Sequence, residues 1–159
     1  MDVLQLLAIW LHTLAFVIAW GYYGILGRIV LPALERSLDQ PAASRTLVAV
    51  ERRALPLVLL SVALFVVTGS YLLLASPKYA GLGDFFANTW TTLMLLKHLV
   101  VAVLVALAVA VDLLIRRAGE ASDDATGAAA LHRVRLAAEG ATGLGALVIL
   151  LTAAAQLSV

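Results

Sequence analysis

Hydrophobic residues fall into four long runs that are separated by short polar segments. The runs cover about residues 3–30, 54–76, 89–115 and 137–159. Each approaches or exceeds the roughly 20 apolar residues that a helix needs to cross the hydrocarbon core of a bilayer. The first run lacks a basic leader and exceeds the roughly 7–15 apolar residues of a signal peptide, so we expect it to be retained. The pattern predicts an all-α integral membrane protein, a four-helix bundle that forms one domain over residues 1–159.

The polar segments carry their own helix signals. Asp39 is a candidate N-cap and Pro41 lies near a helix start, so the second helix is predicted to begin before the membrane. Pro56 is expected either to kink this helix or to start another one. The third loop combines a Gly/Ser/Asp turn with a helical pattern that runs into the fourth span.

Basic residues are distributed unevenly between the two sides of the predicted bundle. All nine arginines lie in or beside the first and third loops, whereas Lys78 is the only basic residue on the side of the second loop and the two termini. Cytoplasmic loops are the ones enriched in lysine and arginine. The sequence therefore predicts an antiparallel up-down bundle in the bacterial cytoplasmic (inner) membrane, with the N- and C-termini outside.

Composition narrows the range of chemistry. The chain is 63% hydrophobic and 13% charged, whereas a soluble domain is roughly 45–50% apolar and about 25% charged. It has no cysteine, which excludes disulfides, iron–sulfur clusters and thiolate metal sites. The spans show no paired acids, no Ser-His-Asp arrangement and no phosphate-binding glycine loop. Hydrolysis, nucleotide chemistry and nucleic-acid binding are therefore not expected.

Two of the three histidines share one predicted depth. His12 and His98 each lie roughly 13 Å from the outer end of their spans, whereas His132 is expected to be solvated at the cytoplasmic surface. In an up-down bundle the first and third spans are diagonal neighbours, roughly 12–14 Å apart. Such a gap suits a haem b held edge-on with one imidazole on each side of the iron. The leading hypothesis is a membrane-embedded electron-transfer protein, a candidate oxidoreductase, that acts near the outer face.

Other polar and aromatic residues lie near the same depth. Lys97 is expected to snorkel outward, where it would pair with a haem propionate or another anion. Tyr71 would line the outer approach. Quinone or a small external acceptor is the expected redox partner besides the lipid bilayer, and a homo-oligomer is left open. The remaining candidate cofactor-binding residues are Thr68, Gly69, Ser70, Trp10 and Trp90.

Two alternatives use the same histidines. Met94 lies one turn from His98, and a Met/His set with His12 suits a copper transporter or chaperone. Alternatively, His12 only joins two helices by a hydrogen bond to Thr68 or Ser70 and binds no cofactor.

Three segments resemble the membrane domains of the CopD-like family, over about residues 5–117. They are WLHTLAFVIAWGYYGILGRIVLPALER, RRALPLVLLSVALFVVTGSYLLL and WTTLMLLKHLVVAVLVALAVAVDLLIRR. The resemblance implies four spans and a role in copper handling. His12, Thr68, Gly69 and Lys97 stand at family-like positions, whereas His98 replaces an expected apolar residue.

The wider set of short four-helix membrane proteins that resemble this chain includes b-type cytochromes and HemJ-type porphyrinogen oxidases. This likeness implies haem as the cofactor or a tetrapyrrole as the substrate. The HemJ pattern has His-x-Lys in the third span, whereas the order here is Lys97-His98. A porphyrin oxidase is therefore a third functional alternative.

Overall fold

A computed structural model describes residues 2–79, 81, 86–121 and 123–158 of the chain. Its elements are α1 (Val3–Ile25), a π-helical turn (Leu26–Val30), α2 (Leu31–Ser37), α3 (Gln40–Leu74), α4 (Thr89–Gly119) and α5 (Asp124–Leu157).

The helices give four candidate membrane spans. The first element, the π-helical turn and α2 form one continuous apolar rod, and α3, α4 and α5 are each long and apolar enough to cross a bilayer. The predicted all-α fold with four membrane-length helices is thereby confirmed. Val159, the last residue of the predicted fourth span, lies outside the described residues.

Short polar side chains begin the long helices. Asp39 caps α3 by accepting a hydrogen bond from the backbone N–H of Ala42 at 2.8 Å, so this helix starts well before its apolar run, as predicted. Asp123 caps α5 in the same way, and this helix also continues without a break into the fourth span. Such caps satisfy backbone donors that lack a partner at a helix start.

The long helix α3 passes through Pro56 without interruption. The alternative of a second helix start at this proline is therefore wrong. Proline has no N–H, so the carbonyl of Arg52, one turn earlier, loses its helical partner. Arg52 is exposed, and water or headgroups can hydrogen-bond to the freed carbonyl at this end of the span.

The four spans form a bundle in which α1 and α4 lie at opposite corners. In the part of the chain that the structure describes, α1 packs against α3 and α5, and α4 also packs against α3 and α5. Helix α3 touches α5 across the short diagonal. The helices that carry His12 and His98 therefore lie across the long diagonal, as expected for the first and third spans.

Contacts between side chains join different elements at the two ends of the bundle. Lys78 in the second loop donates to the carbonyl oxygen of Ser158 at 2.6 Å, which brings that loop and the C-terminal end of α5 together. At the opposite end, Arg135 near the start of α5 lies 4.0 Å from Glu35 of α2. The up-down order and the outside location of the termini stay predictions.

Packing is denser in the half of the bundle near α2 than in the other half. The larger buried cluster there includes Leu31, Leu47 and Val111, which are fully shielded from solvent. The other half contains a small cluster of buried residues around Val100 and Val148. The half that contains His12 and His98 is therefore the more open one.

Gly145 on α5 leaves room for the side chain of Trp20 on α1. A Cβ atom added to Gly145 would overlap the indole of Trp20, whose Nε1 donates to the carbonyl of Thr142 at 2.9 Å. Small residues of this kind allow helices to approach closely in a membrane.

We expect Gly145→Ala to lower the free energy of unfolding by about 1–3 kcal/mol, because the added methyl group displaces the Trp20 ring. Gly143 is the matched control, since a Cβ atom there meets nothing within 4 Å. Titration of the two variants with denaturing detergent measures the difference. Equal unfolding curves for Gly145→Ala and Gly143→Ala would contradict this packing.

Candidate functional site

His12 of α1 rests on a seat formed by Phe65, Thr68 and Gly69 of α3, which we call the His12 seat. Its Nδ1 lies 3.0 Å from the carbonyl oxygen of Phe65 and 3.1 Å from the Thr68 hydroxyl. Its ring stacks on the Phe65 ring, with centroids 4.1 Å apart and planes 16° from parallel. A Cβ atom on Gly69 would lie 2.8 Å from Cε1 of His12. Only glycine leaves room for the imidazole here.

The hydrogen bonds of the seat decide which nitrogen of His12 carries the proton. A carbonyl oxygen only accepts, so Nδ1 must be the donor to Phe65. Thr68 donates its own proton to the carbonyl of Leu64 at 2.5 Å and therefore also accepts from His12. Nε2 keeps a free lone pair, and no described residue forms a hydrogen bond with it. This nitrogen is available to a metal ion.

His98 of α4 adopts the same tautomer by a local contact. Its Nδ1 lies 2.6 Å from the carbonyl oxygen of Met94, one turn earlier, so Nδ1 again carries the proton. Within the described ranges, Nε2 of His98 forms no hydrogen bond. The side chain is exposed, whereas Met94 is half-buried. The thioether and the free imidazole nitrogen thus belong to one face of α4.

The ammonium group of Lys97 lies within electrostatic range of the His12 imidazole. Lys97 is half-buried, and it forms no ion pair within the described ranges. The candidate site therefore comprises His12 on α1 and the Lys97-His98 pair on α4, and the positive charge of Lys97 acts on His12.

The other predicted residues divide into two groups. Thr68 and Gly69 contact His12 directly, and Thr68 is one of the two partners that the hydrogen-bonding alternative named. Trp10 is 58% exposed on α1, and Ser70 is exposed on α3, so neither belongs to the seat. Trp90 is half-buried near the start of α4.

An apolar cavity of about 60 Å³ adjoins the His12 seat. Phe16, Phe65 and Trp20 contribute to its walls, together with apolar side chains of α4. A cavity of about 150 Å³ holds only a benzene molecule, so a porphyrin would require the helices to separate. With His98 on an exposed face, the described packing gives no support to a haem held between the two histidines.

A second polar cluster lies towards the α2 end of the bundle. Glu51 of α3 is only 5% exposed, and the Tyr22 hydroxyl of α1 donates a hydrogen bond to its Oε2. Sequence reasoning missed this residue, although a signal exists. Ser44, Leu47, Glu51 and Val58 recur at helical spacing and form one buried stripe.

Comparison with known proteins gives one family. The family described as CopD, copper resistance protein D, matches residues 48–155. The match includes Thr68, Gly69, Lys97 and His98 and begins after His12. No curated protein and no solved structure matches the chain.

We expect Gly69→Ala to displace the His12 ring, because its methyl group would press on Cε1, and to lower the free energy of unfolding by about 1–3 kcal/mol. Gly21→Ala adds the same methyl group on α1, where nothing lies within 4 Å. Nitrogen NMR of labelled histidine reports the ring environment, and detergent unfolding reports stability. Unchanged His12 signals in Gly69→Ala would show that the ring does not occupy this seat.

Proposed function

This chain belongs to the copper resistance protein D (CopD) family, and on that premise we propose that it is a multi-pass protein of the bacterial cytoplasmic membrane that binds and transfers copper through His12. The shared tautomer of His12 and His98 carries the proposal. Both donate Nδ1–H to a main-chain carbonyl and keep Nε2 free. Metal-binding histidines typically fix their second nitrogen in this way.

Copper(I) is the form of cargo that suits these side chains. Imidazole and thioether are both ligands of copper, and thioethers favour copper(I) in particular. Among the described residues, no group of three or more His, Cys, Asp or Glu side chains forms a multidentate site. Copper(I) tolerates low coordination numbers, so His12, His98 and Met94 suffice as ligands.

Helices α4 and α1 would have different parts in the transfer of copper. Met94 and His98 lie on a more accessible face, where they would meet copper that arrives from the outer side of the membrane. His12 is held by the His12 seat, and its free Nε2 would receive the ion when the His98 side chain turns towards it.

The positive charge of Lys97 would lower the affinity of this site for copper, so that the ion can be released. A positive charge close to His12 opposes a bound cation, so the ion is held less tightly than by the imidazoles alone. Transport requires binding that is strong enough to capture an ion and weak enough to release it.

A haem b electron-transfer protein is the second candidate, and it uses the same two histidines together with Lys97. Lys97 lies near His12, where it would pair with a haem propionate. This function needs His98 to face His12 across a widened gap, and quinone or a small acceptor would be the redox partner. A porphyrin oxidase would require the same gap for its substrate.

We expect His12→Ala to abolish copper(I) binding by the purified protein, and His98→Ala and Met94→Leu to weaken it at least about tenfold. Thr68→Val removes an acceptor from His12 and should weaken binding about 10- to 100-fold, as is usual for groups that orient a metal ligand. Competition with a coloured copper(I) chelator measures these affinities. His132→Ala, at the exposed start of α5, is the control and should bind as the unaltered chain does.

Full binding by His12→Ala would overturn the copper proposal. A Soret band in protein purified from haem-replete cells, lost in both His12→Ala and His98→Ala, would establish the haem function instead. Unfolding curves of each variant separate loss of the ligand from loss of the fold.

A further inference from the structure

Glu51 is a buried acid outside the candidate copper site. It lies on the same buried stripe of α3 as Leu47 and Val58, whereas the next two residues, Arg52 and Arg53, are exposed. Its Oε2 accepts a hydrogen bond from Tyr22. A carboxyl group buried in this way is costly to ionise unless a cation or several hydrogen-bond donors compensate its charge.

Among the described residues, the groups around Glu51 form no ion pair with it. Tyr22 and Tyr23 face it from α1, and both are neutral donors or acceptors. Asp112 faces it from α4 and adds a second acid. Arg116 also acts on Glu51, but its Nε binds both carboxylate oxygens of Asp112, at 3.0 and 3.2 Å, and its side chain is 60% exposed.

The charges of α2 and α5 are engaged elsewhere. Arg135 of α5 binds Glu139 at 3.0 Å and lies 4.0 Å from Glu35 of α2. Glu51 forms no ion pair in the segments that the structure describes. An ionised carboxylate at this position would be buried with the Tyr22 hydroxyl as its one hydrogen-bond donor among the described residues.

We propose that Glu51 is a proton-binding site, whose carboxyl group carries a proton at neutral pH and releases it to water at the α2 end of the bundle. Burying a neutral carboxyl group that is hydrogen-bonded costs far less than burying an unpaired charge. In the protonated form, the carbonyl oxygen accepts from Tyr22 while the other oxygen holds the proton. Ionisation yields a carboxylate and one proton, with no other reactant.

The location of Glu51 gives the proton a role in helix packing. Tyr22 and Glu51 join α1 to α3 at one depth, and His12 and Thr68 join the same helices at another. Release of the proton places a full negative charge between α1 and α3, which favours entry of water at this contact. The proton state of Glu51 therefore controls the α1–α3 contact, independently of copper.

Infrared spectroscopy of the full chain, in a detergent without ester groups, tests the protonation directly. At neutral pH we expect a protonated-carboxyl band that shifts on ¹³C labelling of glutamate, disappears in Glu51→Gln, and remains in Glu139→Gln. Absence of the band from the unaltered protein, or its persistence in Glu51→Gln, would overturn the proposal.

Stability gives a second, separate readout. Glutamine resembles a protonated glutamate, so the unfolding midpoint of Glu51→Gln should match that of the unaltered chain at neutral pH. A large loss of stability in Glu51→Gln would show that the ionised form is the one the fold requires, and would equally overturn the proposal. Neither measurement involves copper, so both stand whether or not the chain binds that metal.

Discussion

The contact between α1 and α3 depends on polar groups that must be satisfied inside the protein. Lipid tails are as apolar as leucine, so burial of apolar surface does not by itself select which helix faces meet. His12 donates to the Phe65 carbonyl and to Thr68, and Tyr22 donates to Glu51. Because a buried polar group without a partner is costly, the two contacts favour one register and one rotation of α1 on α3.

The bundle combines this fixed pair with uneven packing. Large side chains such as Leu47 and Val111 fill the half near α2, and glycine seats such as Gly145 bring α5 close to α1. The half that contains His12 has fewer buried residues and an apolar cavity beside the imidazole. Rigid packing at one end and open space at the other leave the candidate ligands accessible without loosening the whole bundle.

The extent of the helices could be predicted from the sequence, whereas their rotation about the helix axis could not. The hydrophobic runs located the four spans, and the Asp39 cap located the start of α3. The matched depth of His12 and His98 stays a prediction. Adjacent residues of a helix differ by about 100° in direction, and apolar residues on every face of α4 give no signal of which side is buried. Lys97 and His98 therefore differ in exposure although they are neighbours. Glu51 could have been detected from the sequence, because it is the one charged residue in the stripe of α3 that Ser44, Leu47 and Val58 form at helical spacing.

The position of Pro56 gives α3 a mechanical property. This residue lies between Glu51 and Phe65, and hence between the two polar contacts that join α3 to α1. The turn that contains Pro56 lacks one backbone hydrogen bond, so bending there costs less than elsewhere along the helix. The two halves of α3 can therefore bend relative to each other at Pro56. A change at one contact can then tilt its half of α3 while the other half stays docked on α1.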